Sequence, residues 1–124
     1  MENEFVNYNQ ALALKELGFD EPCMASRDMN NDKGLIQIPL KQQAFRWFRE
    51  KYGLFSEIQP YLIIGTQWRY TITNRNNSSG LPHKEGFQTY EEAEQACLDK
   101  LIEILKNKWY AYIQLRIIHT HPKS

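Results

Sequence analysis

Net charge, cysteine and long apolar runs are all scarce in this sequence, and each absence excludes a class of protein. Fifteen basic and fifteen acidic residues cancel to a formal net charge of +0, which argues against a protein that holds nucleic acid mainly by charge. No apolar run approaches the length of a membrane span, and no charged leader followed by an apolar stretch opens the chain. We therefore expect a small soluble protein of the cytoplasm that has no membrane partner.

The sequence has two cysteines, Cys23 and Cys97. In a cytoplasmic protein such a pair is typical of buried thiols, while a disulfide between them stays open as the alternative. The sequence also lacks a glycine-rich phosphate loop, a GxSxG elbow and an HExxH zinc motif. It therefore nominates no catalytic residue, no cofactor and no metal ligand, and we expect a protein that is not an enzyme.

Two short patterns suggest metal ligands only faintly. His119 and His121 would lie on one side of an extended chain, as in half of a zinc site, but no third ligand stands at a diagnostic spacing. Asp28, Asn30 and Asp32 alternate like the first oxygen ligands of a calcium loop, yet strand-like rather than helical segments flank them. We interpret the histidine pattern as a frayed polar terminus and the Asp28 to Asp32 pattern as a turn.

The strongest positive signal in the sequence is a helix that follows Gly86. Thr89 and Glu92 have the spacing of a capping box, and acidic residues crowd the first turn, where the helix dipole favours them. The pattern predicts a helix that ends near Asn107 and packs across a sheet. Its apolar face repeats at helical spacing and comprises Tyr90, Ala93, Cys97, Leu101 and Ile104.

Two further helices are predicted over residues 8–17 and 40–52. Gly18 suits the left-handed position that ends the first helix, with Phe19 folding back onto it. Pro39 suits the first turn of the second helix, because the N–H that proline lacks has no partner there. Gly53 is placed to end that helix.

Strands are predicted both before and after the second helix in the sequence. Trp68, Tyr70 and Ile72 alternate with polar residues and face one way. Pro60 cannot donate a backbone hydrogen bond, so its run is restricted to the edge of a sheet or to an irregular segment. The predicted strands cover residues 23–26 and 35–38, which form a hairpin around a polar turn, an edge run over 57–64, and 67–73.

These elements predict a single α+β domain over residues 1–124, with a small, mostly antiparallel sheet and about three helices packed on it. Residues 1–7 are expected to form a flexible arm, and residues 74–86 a mobile loop. Residues 109–118 are rich in β-branched and aromatic side chains, which favours a C-terminal strand whose pairing is uncertain. Continuation of the preceding helix is the alternative.

Two sets of surface residues are candidates for binding. Basic and aromatic residues interleave as they do on surfaces that bind nucleic acid, although a solvated charged face explains the same pattern. The candidate nucleic-acid contacts are Lys41, Arg46, Arg49, Lys51 and Arg69. The apolar C-terminal strand suggests a surface that pairs with another chain. The candidate protein interface is Trp109, Tyr110, Tyr112, Ile113 and Leu115.

Three blocks of sequence carry a family resemblance. They are QALALKELGFDEPC (10–23), PLKQQAFRWFREKYGL (39–54) and YEEAEQACLDKLIEIL (90–105). In order and spacing they resemble a family of small, uncharacterised proteins encoded by phages, prophages and mobile elements of Bacteroidetes. The resemblance covers most of residues 5–106 and implies a phage or mobile-element origin and expression in a bacterial cytoplasm. It implies no activity, so no functional residue is carried across.

A second likeness is architectural. A strand, a loop and then a helix that opens Tyr-x-x-Ala-x-x-Ala at Tyr90 resembles the sheet-plus-helix DNA-binding modules of phage integrases. The leading hypothesis is a non-enzymatic accessory protein that acts by binding a protein partner, or a second copy of itself as a homodimer. The alternative is a weak nucleic-acid-binding module that uses a basic and aromatic surface.

Overall fold

The computed structural model describes the backbone of residues 4–28, 35–62, 65–75 and 82–120. The side chains it describes are those of residues 4–26, 36–62, 65–75 and 82–107. The first half of the chain forms helix α1 (Tyr8–Glu16), strands β1 (Ala25–Asp28) and β2 (Leu35–Ile38), and helix α2 (Lys41–Tyr52). The second half forms strands β3 (Leu54–Tyr61), β4 (Gln67–Asn74) and β5 (His83–Phe87), and helix α3 (Tyr90–Thr120).

The strands form two antiparallel sheets, a hairpin of β1 with β2 and a three-stranded sheet in the order β3-β4-β5. The predicted α+β class is confirmed, and so is the hairpin, in which Ala25 lies opposite Ile38. Pro60 lies in β3, at the edge of the larger sheet, as its missing N–H requires.

Helix α1 ends as predicted. Gly18 has a φ of +99°, a backbone conformation that glycine adopts without the penalty a Cβ would bring. The N–H of Phe19 donates to the carbonyl of Leu14 at 2.9 Å, and the N–H of Gly18 donates to that of Lys15 at 3.1 Å. These two bonds form a Schellman motif, which turns the buried ring of Phe19 back onto the helix.

The predicted flexible arm is wrong for the part of it that the structure describes. Phe5 forms a β-bridge with Leu40, and the N–H of Val6 donates to the carbonyl of Pro39 at 3.0 Å. Val6 is only 3% exposed, because it enters a core built from residues distant in sequence. Residues 1–3 of the predicted arm lie outside the described residues.

The predicted mobile loop over residues 74–86 is also wrong in part. His83–Phe87 forms strand β5, with His83 opposite Thr71 and Phe87 opposite Trp68. Four of its five residues are exposed, so the strand has no apolar alternation by which sequence could reveal it. Backbone hydrogen bonds to β4 form it instead. Residues 76–81 of the predicted loop lie outside the described residues.

The predicted C-terminal strand over 109–118 is wrong, because the backbone of α3 continues as a helix to Thr120. A helix that has already formed adds each residue by one local hydrogen bond, whereas a strand needs a partner distant in sequence. This local term outweighs the modest β-preference of aromatic and β-branched residues. The alternative of helix continuation is the one observed.

Helix α3 lies across one face of the three-stranded sheet and also contacts α1 and α2. Of its predicted apolar face, Ala93, Cys97 and Leu101 are fully buried, whereas Tyr90 is 36% exposed. The buried surface of α3 is wider than this single row of residues, because the three-stranded sheet covers the helix from one side and α1 and α2 contact it from another. The additional residues that it buries are Glu94, Leu98, Ile102 and Leu105.

Candidate functional site

The three-stranded sheet leaves one of its faces without a helix among the residues that the structure describes. Side chains alternate along a strand, and Leu54, Tyr70 and Ile72 lie on the face that α3 covers. The residues between them belong to the opposite face, which we call the open face. Its β3 and β4 residues, none of them buried, are Phe55, Glu57, Gln59, Tyr61, Gln67, Arg69, Thr71 and Thr73.

One arginine on the open face is held by its neighbours. The guanidinium carbon of Arg69 lies 5.4 Å from the centre of the Tyr61 ring. Its Nε and Nη2 atoms donate to Oε1 of Gln59 at 3.2 and 3.0 Å. Gln59 in turn donates from Nε2 to Oε2 of Glu57 at 2.6 Å. This chain of contacts orients the planar guanidinium group before any ligand arrives.

A second arginine pairs with an aromatic ring at the other end of the same face. The guanidinium carbon of Arg75 lies 5.8 Å from the centre of the Phe55 ring, and Phe55 is 36% exposed. The N–H of Arg75 donates to the carbonyl of Gly53 at 2.9 Å, where a φ of +67° lets the chain turn from α2 into β3. The open face thus has an arginine and an aromatic ring at each end.

The structure does not bring the five candidate nucleic-acid contacts together. Lys41 is 5% exposed and its Nζ lies 3.4 Å from Oε1 of Glu94, so it is withdrawn from the surface. Arg46, Arg49 and Lys51 project from α2, which packs on the helix side of the sheet. Arg69 lies on the open face, so it is separated from them by the sheet itself.

Two of the candidate cations on α2 already have partners. Arg46 lies 3.7 Å from Oε1 of Glu21, and the Lys51 ammonium lies 5.5 Å from the centre of the Trp47 ring. Arg49 is exposed. A nucleic-acid role for these residues stays a prediction, and a single patch that includes Lys41 and Arg69 is not what the fold presents.

The candidate protein interface lies on α3. Trp109, Tyr110, Tyr112, Ile113 and Leu115 all fall within its helical backbone, and their side chains lie outside the described residues. The interface was predicted on a strand, whereas these residues lie on a helix, so they do not form the surface that the prediction assumed. Protein binding at these positions stays a prediction.

Two ionisable groups in the core, Glu94 and Cys97, have raised pKa values. Burial raises the pKa of Glu94, and the neighbouring Lys41 ammonium opposes part of that rise. Burial raises the pKa of Cys97 to about 12, so its thiol is not a nucleophile near neutral pH. Cys23 and Cys97 are both free thiols. Among the described residues no group of three or more His, Cys, Asp or Glu side chains is placed to hold a metal ion.

Sequence reasoning identified Arg69 but missed three residues of the open face, Phe55, Tyr61 and Arg75. The strand that carries Phe55 and Tyr61 has apolar and polar residues on both of its faces, so alternation does not mark which side is open. Arg75 follows the end of β4, and the pairing of β4 with β3, which sets Thr73 opposite Phe55, brings it beside that ring. The sequence signal that could have identified this face was the even spacing of Phe55 and Tyr61 along β3, which places both rings on one side of the strand.

Comparison of the chain with family models, with curated proteins and with solved structures finds no match. The resemblance to proteins of Bacteroidetes phages, and the likeness to integrase modules, therefore stay predictions. Within the part of the chain that the structure describes, no helix has both the length and the apolar character needed to cross a membrane. The open face is left as the best-defined surface on which to base a function.

Proposed function

We propose that this protein is a non-enzymatic module that binds single-stranded nucleic acid on the open face of its β3-β4-β5 sheet. The observation that carries the proposal is the pairing of an arginine with an exposed or half-exposed aromatic ring at each end of that face, Arg69 with Tyr61 and Arg75 with Phe55. Unpaired bases stack on aromatic rings and on guanidinium planes, and any base offers such a face.

The spacing of the two pairs fits a short single strand. Phe55 and Tyr61 lie six residues apart on β3, which corresponds to about 20 Å along the strand. That length spans about four nucleotides, at the lower end of the site sizes of sheet-based single-strand binders. Bases at the two ends would stack on the aromatic pairs, and the polar residues between them would meet the intervening nucleotides.

The charge of the open face supports stacking over electrostatic attraction. Arg69 and Arg75 are opposed by Glu57 on the same face, so few phosphates are neutralised. Two phosphate contacts on a single strand give a slope of log K against log salt of about −1.4. A patch of five cations would give a slope of about −3.5, so the salt dependence separates this proposal from a patch of basic residues.

The test is a fluorescence anisotropy titration with labelled single-stranded DNA, single-stranded RNA and duplex DNA at two salt concentrations. The variants Tyr61→Leu and Phe55→Leu keep an apolar side chain but remove the ring. Each base stacked on a ring contributes about 1–3 kcal/mol, so we expect each variant to weaken single-strand binding by about 5-fold to about 150-fold. Thermal unfolding of each variant shows whether the fold is intact.

Arg49→Ala is the matched control for Arg69→Ala, because both change an arginine to alanine but on opposite sides of the sheet. We expect Arg69→Ala to weaken binding and Arg49→Ala to leave it unchanged. Equal affinity in the folded ring variants and the wild-type protein would overturn the proposal. Tighter binding of the duplex than of the single strand would overturn it as well.

We further propose, on the family resemblance alone, that the protein is an accessory protein of a phage or mobile element and acts in the cytoplasm of a bacterial host. Binding of a protein partner is the second candidate function. The specific observation in its favour is that α3 continues to Thr120, since Trp109, Tyr112 and Ile113 then have the i, i+3, i+4 spacing of a helix that docks in a groove.

A further inference from the structure

A surface groove runs along the exposed side of α2, on the other side of the sheet from the open face. One wall is formed by residues of α2, and the other by the segment that leads into β1. The groove has a volume of about 510 Å³ and is lined by Pro22, Met24, Leu40, Gln42, Gln43, Arg46 and Arg49. Both of its charged lining residues are arginines, and no acidic residue lines it.

The two arginines lie one helical turn apart, and both reach solvent. The side chain of Arg46 is 52% exposed, and its pairing with Glu21 is long, at 3.7 Å. Arg49 is exposed and makes no ion pair with any residue that the structure describes. Residues three apart on a helix are neighbours, so the groove presents two adjacent guanidinium groups, each able to bind a carboxylate through two hydrogen bonds.

An apolar anchor point lies beside the arginines. Met24 is 86% exposed, although it stands next to the half-buried Cys23. A thioether side chain adapts its shape to an apolar partner and is frequent on protein-binding surfaces. An exposed methionine beside two cations is the combination that an amphipathic acidic peptide matches.

The groove is held in shape by hydrogen bonds between its walls. Nε2 of Gln43 donates to the carbonyl of Pro22 at 2.9 Å and to Oε1 of Glu21 at 3.3 Å. These bonds fix the segment before β1 against α2. A preformed groove costs less ordering free energy on binding than a disordered one.

We propose that this groove docks an acidic segment of a protein partner, with carboxylates on Arg46 and Arg49 and an apolar side chain on Met24. The charges are complementary, because the lining has two arginines and no acidic residue. The Glu21 carboxylate opposes Arg46 from 3.7 Å, while Arg49 makes no ion pair among the described residues. A nucleic acid fits this groove less well, since no aromatic residue lines it and it offers unpaired bases no ring to stack on. The site is separate from the open face and does not depend on the function proposed there.

The test uses a fluorescein-labelled synthetic peptide, rich in glutamate with one central leucine, and a matched peptide whose glutamates are replaced by glutamines. We expect the intact protein to bind the acidic peptide and to bind the glutamine peptide at least about tenfold more weakly. Arg49→Glu changes a residue that makes no ion pair among the described residues, so its fold is expected to be intact. This variant should lose about tenfold in affinity for the acidic peptide.

Two controls identify the site. Lys106→Glu reverses an exposed charge on α3 beside α1 and should leave peptide binding unchanged. A peptide with lysines in place of the glutamates should bind the Arg49→Glu variant better than it binds the wild-type protein. Equal binding of the acidic and glutamine peptides, or an equal loss in Lys106→Glu, would overturn the proposal.

The outcome is distinguishable from that of the nucleic-acid test. Arg49→Glu is expected to weaken peptide binding and to leave oligonucleotide binding at the open face intact, and Tyr61→Leu is expected to do the reverse. A loss of oligonucleotide binding in Arg49→Glu with no effect on the peptide would instead assign the groove to nucleic acid and overturn the proposed partner.

Discussion

Lys41 and Glu94 form an ion pair in the interior of the protein, with Nζ of Lys41 3.4 Å from Oε1 of Glu94. The two residues are 5% and 6% exposed, and the other carboxylate oxygen accepts a hydrogen bond from Nε2 of Gln42 at 3.3 Å. The pair joins the first turn of α2 to the early part of α3. It also explains why a lysine that looks like a surface cation in sequence is not one.

Removing either charge of this pair should destabilise the protein more than removing both. Lys41→Met or Glu94→Leu alone leaves a buried charge without its partner, which costs about 3–5 kcal/mol. The double variant leaves no charge, and we expect its free energy of unfolding to be about that of the wild-type protein. Urea denaturation of the three variants measures this. A double variant that is less stable than both single variants would show that the pair itself stabilises the fold.

The raised pKa of Glu94 should make stability depend on pH. Burial raises this pKa in the folded state above that of the unfolded chain, so the folded state holds the proton to higher pH. The stability that this group contributes is therefore complete below its unfolded pKa and is lost as pH rises through the folded pKa. We expect Glu94→Gln to flatten the fall in free energy of unfolding that begins as pH rises past the ordinary glutamate pKa of about 4.3. Glu50→Gln, which removes an exposed carboxylate from α2, is the matched control.

Gln10 should be among the most sensitive polar residues of the fold. Its backbone N–H donates to Oδ1 of Asn7 at 2.7 Å, and its Oε1 accepts from the N–H of Asn7 at 3.0 Å. Its Nε2 also donates to Oδ1 of Asp99 at 2.8 Å and to the carbonyl of Gln95 at 3.2 Å. We expect Gln10→Ala to cost about 2–3 kcal/mol, because it leaves several partly buried groups without partners.

Thermal unfolding measures this cost, with Asn9→Ala as the control at an exposed position of the same helix. The side chains of Gln10 and Asp99 should be coupled, so the double variant Gln10→Ala with Asp99→Ala should lose less than the sum of the single losses. A cost for Gln10→Ala no larger than that for Asn9→Ala would contradict this account of how α1 is tied to α3.

The two thiols should react at very different rates in the native protein. Cys97 is 0% exposed and its pKa is raised to about 12, whereas Cys23 is half-buried. Burial, together with the nearby Glu21 carboxylate, also raises the pKa of Cys23, so its reaction is slow but not blocked. We expect iodoacetamide to modify Cys23 in the folded protein and Cys97 only after unfolding, as read by mass spectrometry. Rapid native labelling of Cys97 would show that α3 opens locally.

The C-terminal part of α3 should determine the oligomeric state, if it is the protein interface that the sequence predicts. Trp109 and Ile113 are apolar residues on a helix whose buried residues, among those described, end at Leu105. We expect light scattering to give a dimer for the full chain and a monomer for a chain that ends at Asn107, since an apolar helix self-associates to bury its surface. A monomeric full chain would rule out self-association through these residues.

Local signals made most of the elements predictable. The N–H of Glu92 donates to Oγ1 of Thr89 at 3.1 Å, as the capping-box spacing predicts. The carboxylate of Glu92 accepts instead from the N–H of Gln88, at 3.3 Å, so the return bond lies one residue earlier than in the standard box. Gly18 and Gly53 end their helices because the positive φ that they adopt is a property of the residue itself.

The candidate site was less predictable, because its residues meet only through long-range pairing. Tyr61 and Arg69 come together since β3 and β4 pair in one particular register, with Gln59 opposite Arg69. In the groove, Arg49 was identified from the sequence as a candidate cation. Its neighbour Met24 was not, because it belongs to the segment before β1 and is distant from Arg49 in the sequence. The spacing of residues along one helix or one strand does not predict contacts between different helices and strands.

The sequence by itself determined that α1 and α2 end at Gly18 and Gly53, where α3 begins, and that Pro60 does not lie inside a sheet. Those properties depend on backbone sterics and on hydrogen bonds between near neighbours. The tertiary structure alone decided that Lys41 is buried against Glu94, that His83–Phe87 pairs as a strand, and which face of the sheet is open. These outcomes depend on packing and on hydrogen bonds between residues far apart in the chain, for which the sequence has no local signature.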